Sequence, residues 1–211
     1  MSIYEERPES KNQAGQQEDD FEINPYIDLT DVLNSYVDFD DSVIYFNEDI
    51  GERTIVDLMI RFRSLLKYRD SEDYKGNIEK PINLVLNSPG GEIHEMMGLV
   101  DYIRSLKQPV NIIVRGKAFS AAAVVLASTT GQRMASTNST IMFHQPRSMM
   151  EGKLTDVVAT IDYVNKIEQS VYNILANKSN KDATWWKDNM RSDLYLSAQE
   201  AKEIGVIDIV I

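Results

Sequence analysis

Two short motifs contain a serine and a histidine that could act together as nucleophile and base. In R-G-K-A-F-S-A-A-A, Ser120 opens a run of small residues, and in I-M-F-H-Q-P, His144 follows an apolar run. A histidine that accepts the serine proton turns a weak hydroxyl nucleophile into an effective one. Each residue alone has a simpler explanation, because serines often cap helices and histidines after strands are commonly structural. The pair needs a further feature to indicate catalysis.

That feature is the turn N-S-P-G-G, which follows the apolar run Ile82 to Leu86. Its two glycines allow a backbone N–H to approach a ligand closely, so Gly91 is a candidate donor to a developing oxyanion. Ala121 is a second candidate, because the first N–H groups of a helix have no partner within the helix. A nucleophile, a base and two donors predict acyl-transfer chemistry.

The neighbouring sequence predicts the elements that hold these groups. Val110 to Val114 reads as a buried strand that Gly116 ends, and Thr140 to Phe143 reads as a second strand. The run Ala121 to Ala127 has strong helix propensity. The serine is therefore expected at a strand-to-helix elbow, beside a histidine delivered by the adjacent strand.

Helical periodicity is clear in three further segments. A helix is predicted from Thr54, with Arg61 on its solvated face, and others over Ile93 to Leu106 and Leu154 to Asn177. His94 is a rival base, but it falls on a helix face, whereas the histidine at a strand end can be aimed at the serine. Strands alternating with helices predict an α/β fold.

Composition excludes several classes of protein. The 211 residues are 43% hydrophobic and suit one domain, predicted over 21–211 after a disordered polar tail over 1–20. A net charge of −11 argues against nucleic acid, and no apolar run approaches a membrane span. With no cysteine and two histidines, a metal site is not expected, no cofactor is needed, and the reducing cytoplasm is the expected location.

Four runs carry a resemblance to a known family: I-N-L-V-L-N-S-P-G-G-E-I, G-K-A-F-S-A-A-A, M-F-H-Q-P and D-L-Y-L-S-A-Q-E-A-K-E-I-G-V-I-D. In order and spacing, roughly Val43 to Ile211 resembles the proteolytic subunit of the Clp protease (ClpP) family. The resemblance implies a crotonase-like α/β fold with repeated β-β-α units and a long protruding handle helix at about 154–177. It also implies a serine endopeptidase that cleaves unfolded polypeptides inside a homo-oligomeric chamber, a heptameric ring or double ring, fed by an AAA+ unfoldase of the Clp type.

The same resemblance assigns roles to individual residues. Ser120 is the nucleophile, His144 the base and Asp193 the third triad member, and the oxyanion donors are Gly91 and Ala121. Asp193 is assigned through D-L-Y-L-S alone, since an aspartate in a turn is otherwise unremarkable. A substrate peptide is expected to add as a strand. Its predicted contacts are Gly90, Ile93, Arg147, Ser148 and Met149.

Other functions remain open from the sequence. Acyl-CoA hydratases share this fold and use carboxylates near such an oxyanion turn, which makes Glu92 and Glu95 candidates and gives Ser120 no role. The chain is short for a hydratase and lacks a basic segment for the CoA phosphates. A structural or catalytically weak ring subunit and a specialised processing protease, for instance a viral one, are further alternatives. Asn83 and Val85 stand where the resembled family tends to carry tyrosines that dock the ATPase.

Overall fold

The computed structural model describes residues 35–147 and 151–211, which form one mixed sheet with helices packed against it. The tail predicted over 1–20 lies outside the described residues. The strands are β1 (Val37–Asp38), β2 (Val43–Phe46), β3 (Ile82–Ser88), β4 (Val110–Phe119), β5 (Arg133–Ala135), β6 (Thr140–Phe143), β7 (Leu194–Ser197) and β8 (Ile209–Val210). The helices are α1 (Glu52–Arg69), α2 (Ile93–Ser105), α3 (Ala121–Ser128), α4 (Leu154–Asn177), α5 (Ala183–Asn189) and α6 (Ala198–Glu203).

The sheet has the order β1-β2-β3-β4-β5-β8 and is parallel from β2 to β8, with β1 antiparallel at one edge. Parallel strands need crossover connections, and helices provide most of them here. Along β3, fully buried residues alternate with half-buried ones, so one face carries the core. The predicted α/β class is confirmed. A β-β-α unit occurs at β1-β2-α1 and again at β5-β6-α4.

Strand β4 bends at Gly116 instead of ending there, so the predicted strand end was wrong. Before the bend β4 pairs with β5, and after it Lys117 to Phe119 pairs with β6. Gly116 has φ +105°, and a Cβ there would lie 2.8 Å from the Asn87 amide oxygen. The same oxygen accepts a hydrogen bond from the Lys117 N–H at 3.1 Å. Glycine therefore redirects the strand towards the site without interrupting it.

The prediction that Arg61 is solvated was also wrong. Its side chain is buried on the inner stripe of α1, where it donates to the Tyr45 carbonyl and pairs with Glu48, each at 2.8 Å. Periodicity gave no sign of this, because a buried cation depends on partners from another part of the chain.

Helix α4 spans the same residues as the predicted long helix. Its first half is exposed, with Leu154 at 78% and Val158 at 49%, while Val171, Tyr172 and Leu175 are buried. The helix therefore enters the core at its C-terminal half. Among the described helices, none is both long and apolar enough to cross a lipid bilayer.

Candidate active site

The three proposed triad residues each lie one step beyond a paired strand end. Ser120 follows Phe119 on β4, and His144 follows Phe143 on β6, whose Met142 is the partner of Phe119. Asp193 comes just before β7, whose Leu194 pairs with Phe143 in antiparallel register. The sheet thus brings serine, histidine and aspartate to adjacent positions at one edge.

Ser120 occupies a sharp strand-to-helix elbow. Its backbone has φ 55° and ψ −122°, a conformation that L residues rarely adopt. The Ser120 N–H donates to the Met142 carbonyl at 2.7 Å, and its own carbonyl accepts from Ala123 at 3.0 Å. Strained elbows of this kind expose a nucleophilic hydroxyl at the end of a strand. The predicted elbow is confirmed.

The double-glycine turn packs directly on this elbow. Gly90 has φ +89°, and a Cβ there would lie 2.4 Å from the Phe119 carbonyl and 2.9 Å from the Ser120 Cβ. At Gly91, a Cβ would lie 2.1 Å from the Ile50 carbonyl. Both glycines are therefore required, because a side chain at Gly90 would collide with the elbow and one at Gly91 with the Ile50 backbone.

Two backbone N–H groups remain available beside Ser120. Ile50 forms a parallel bridge to Gly91, in which the Ile50 N–H donates to Gly90 and the Ile50 carbonyl accepts from Glu92. The Gly91 N–H takes no part in it. Neither this group nor the Ala121 N–H at the start of α3 has a hydrogen-bond partner among the described residues. Both residues line the same cleft as Ser120, so the two donors fit an oxyanion hole.

The cleft has a volume of about 630 Å³ and runs between the nucleophile elbow, α2 and α4. Ser120, His144, Gly91 and Ala121 all line it, as do the predicted substrate contacts Ile93 and Arg147. Ser148 and Met149 lie outside the described residues. The other residues that line the cleft are Pro89, Glu92, His94, Met96, Val124, Phe143, Pro146, Thr160, Tyr163, Val164, Ile167, Glu168, Val171 and Met190.

The half-buried His144 ring is held by its own strand end. Its Nδ1 lies 2.6 Å from the Gln145 carbonyl oxygen. A carbonyl can only accept, so in the neutral ring Nδ1 carries the proton and Nε2 keeps its lone pair. That tautomer is the one a general base needs towards a serine hydroxyl. Within the described ranges, however, His144 makes no hydrogen bond to Ser120 or Asp193.

Asp193 is instead paired with Arg147. The Arg147 Nη2 lies 3.1 Å from each carboxylate oxygen of Asp193. The arginine side chain is 75% exposed and the aspartate side chain 34%. The three proposed triad residues therefore share one edge of the sheet, while the Asp193 carboxylate is paired with a neighbouring cation.

The sequence reasoning missed a polar cluster on the α4 wall of the cleft. Glu168 accepts a hydrogen bond from the Tyr172 hydroxyl at 2.6 Å, and that hydroxyl accepts one from the Gln145 amide at 3.2 Å. Burial, and then the bond to Glu168, raises the pKa of Tyr172 to about 12. The i, i+4 spacing of Glu168 and Tyr172 was visible in the sequence, but the position of Glu168 on the cleft and the burial of Tyr172 behind it were not.

The rival residues occupy less suitable positions. His94 also lines the cleft, but its ring stacks on Tyr163 with a centroid distance of 5.9 Å. Glu92 borders the cleft at the start of α2, whereas Glu95 is not among the lining residues. Across the described ranges, no group of three or more metal-ligating side chains is placed to hold an ion.

A serine at an elbow, an adjacent histidine and two backbone N–H donors facing the same cleft define a serine hydrolase site. The family model for Clp protease matches residues 40–211. A protein of Bacteroides thetaiotaomicron named ATP-dependent Clp protease proteolytic subunit is 34% identical over 173 residues, which cover 81% of this chain and 74% of the relative. A protein of the same name from Bacteroides fragilis has the same identity and is covered over 79% of its length.

The chain therefore belongs to the Clp protease family. Its fold is crotonase-like, as the sequence resemblance implied, and it is a ClpP-like serine peptidase. These matches do not support the acyl-CoA hydratase alternative.

Proposed function

We propose that this chain hydrolyses peptide bonds by acyl transfer to Ser120, with His144 as general base and Asp193 orienting the imidazole. The observation that carries the proposal is the register of β4, β6 and β7, which brings these residues to one edge. The two N–H groups beside them have no hydrogen-bond partner in the described part of the chain. Residues with these roles recur in serine peptidases of unrelated folds, where geometry defines the triad.

The reaction follows from the positions of these groups. His144 Nε2 takes the proton of the Ser120 hydroxyl as its oxygen attacks the peptide carbonyl. The Gly91 and Ala121 N–H groups donate to the tetrahedral oxyanion, and the imidazolium returns the proton to the leaving amine. Water, activated by the same histidine, then attacks the acyl-serine and releases the acid.

For activity, the ion pair between Arg147 and Asp193 has to break. Asp193 must exchange Arg147 for the His144 Nδ1–H, and that N–H must leave the Gln145 carbonyl. Both ion-pair partners are solvent-accessible, so the exchange breaks a weak contact. The pairing with Arg147 also favours a second candidate function, a catalytically weak ring subunit in which the triad does not form.

We further propose that the chain assembles into a ring or double ring and receives unfolded polypeptides from a Clp-type AAA+ ATPase. The name of the relatives describes them as proteolytic subunits of an ATP-dependent protease. The exposed apolar residues in the first half of α4 supply a surface that assembly would cover. A cytoplasmic location remains a prediction from the cysteine-free sequence.

The test uses the assembled protein, with its subunit number measured by native mass spectrometry. Degradation of an unstructured protein by the wild type is compared with Ser120→Ala and with Ser128→Ala, a buried serine outside the cleft lining. The proposal expects cleavage by the wild type and Ser128→Ala and none by Ser120→Ala. Equal cleavage by all three would refute the assignment, and none by the assembled wild type would favour the weak subunit.

A separate pull-down tests the ATPase partner. Asn83, which stands where the resembled family tends to carry a docking tyrosine, accepts a hydrogen bond from the Asn111 Nδ2 at 2.9 Å. If the partner is of the Clp type, a tagged assembly should recover an AAA+ protein. Recovery of none, together with unaided degradation of a folded protein, would contradict the proposed partner.

A further inference from the structure

The cleft wall formed by α4 carries one charged side chain among mostly apolar ones, with Thr160 and Tyr163 as its neutral polar residues. Val164, Ile167 and Val171 line it together with residues of α3 and β6, and Glu168 is the carboxylate set among them. Glu168 is half-buried. A charge on a mostly apolar wall needs a partner, since desolvation disfavours an isolated ion.

Glu168 is held in position but remains incompletely satisfied. Its Oε1 accepts from the fully buried Tyr172, whose hydroxyl in turn accepts from the Gln145 amide next to His144. In the described ranges, Oε2 has no hydrogen-bond partner and Glu168 is in no ion pair. One oxygen is thus anchored through a chain of contacts to the residue beside His144, and the other has no partner in the part of the chain that the structure describes.

Other charged groups on the cleft do not neutralise this carboxylate. The Arg147 side chain is 75% exposed, so water screens its charge whether or not it is paired with Asp193. His94 stacks on Tyr163. Glu92, at the other side of the cleft, adds a second carboxylate. The described lining therefore favours a cation as occupant.

We propose that Glu168 selects a lysine or arginine side chain at the substrate residue whose carbonyl Ser120 attacks. This inference rests on the proposed function and adds a substrate preference to it. The apolar wall accommodates the methylenes of such a side chain, while its charged end donates to Oε2. A fixed carboxylate in the specificity pocket of a serine peptidase selects cationic residues in this way.

The test compares two fluorogenic peptides that differ at that residue alone, lysine in one and uncharged norleucine in the other. Charge-assisted hydrogen bonds predict that wild-type kcat/KM favours the lysine peptide by roughly tenfold or more. Glu168→Gln should bring the ratio close to one. Asp162→Asn removes a charge from the same helix outside the cleft lining and should keep the wild-type ratio.

Binding to proteins that carry Ser120→Ala separates this inference from the proposed function. Titration calorimetry should give tighter binding of the lysine peptide, and Glu168→Gln should remove the difference. That result without cleavage by the wild type would refute the proposed reaction and support the Glu168 preference. Cleavage of both peptides without preference, or a ratio unaffected by Glu168→Gln, overturns the inference while the reaction stands. Peptides neither bound nor cleaved would overturn both.

Discussion

Replacing Arg147 with glutamine should raise peptidase activity. The guanidinium contacts both oxygens of Asp193 at 3.1 Å and competes with the imidazole of His144 for them. Because the arginine side chain is 75% exposed, the pair is worth at most about 1 kcal/mol. That free energy corresponds to a population ratio of about fivefold. The variant is therefore expected to gain up to about fivefold in kcat/KM on a short fluorogenic peptide.

A matched control separates this effect from a general loss of surface charge. Arg53 is 87% exposed, forms a pair with Asp57 at 3.9 Å and does not line the cleft, so Arg53→Gln should leave the rate unchanged. Added salt should narrow the gap between wild type and Arg147→Gln, because it screens exposed pairs. Native mass spectrometry checks that each variant is assembled. A lower rate in Arg147→Gln would refute the competition and identify Arg147 as a group that promotes the reaction.

Three further predictions concern packing and pH. Gly90→Ala should abolish activity, because the new Cβ would lie 2.4 Å from the Phe119 carbonyl oxygen in the elbow. The control Gly98→Ala places its Cβ in open space on α2, so in a denaturant titration it should raise the free energy of unfolding by about 0.5–1 kcal/mol. In the same titration, Arg61→Met should lower the free energy of unfolding by about 1.5–3 kcal/mol, because it loses the hydrogen bonds to Tyr45 and Glu48. Arg63→Met, at an exposed position, should change it by almost nothing. Equal effects of the two substitutions would contradict a structural role for the buried Arg61. Tyr172 ionises near pH 10 when unfolded and at about 12 when folded, so its contribution to stability is complete below pH 10 and is lost as pH rises to 12. Tyr172→Phe should therefore lose less stability than the wild type over that interval, and identical pH profiles would contradict the raised pKa.

The sequence predicted most of the frame around the site. Ser120 at an elbow, His144 at a strand end and the double-glycine turn were all inferred from residue types and spacing, and the structure has these elements. Asp193 came from the resemblance alone, because no local pattern distinguishes it from a turn aspartate. The pairing of β6 with β7 explains why it lies beside His144.

What the sequence did not predict depends on contacts between distant segments. The Arg147 pair spans 46 residues and the burial of Arg61 depends on β2 and the loop after it, so periodicity could not indicate either. Gly116 was expected to end β4, but the strand continues because β6 takes over the pairing that β5 leaves. Glu168 is one of many polar residues in the sequence of α4, and helical periodicity does not indicate which of them line the cleft.

The most direct test of the central claim is covalent labelling of the assembled protein with a fluorophosphonate, followed by intact-mass measurement and peptide mapping. An activated serine beside an oxyanion hole reacts with such a probe, whereas an ordinary hydroxyl does not. The account predicts a single adduct on Ser120 that disappears in Ser120→Ala. An assembled wild type that takes no label, or an adduct that persists in Ser120→Ala, would contradict it.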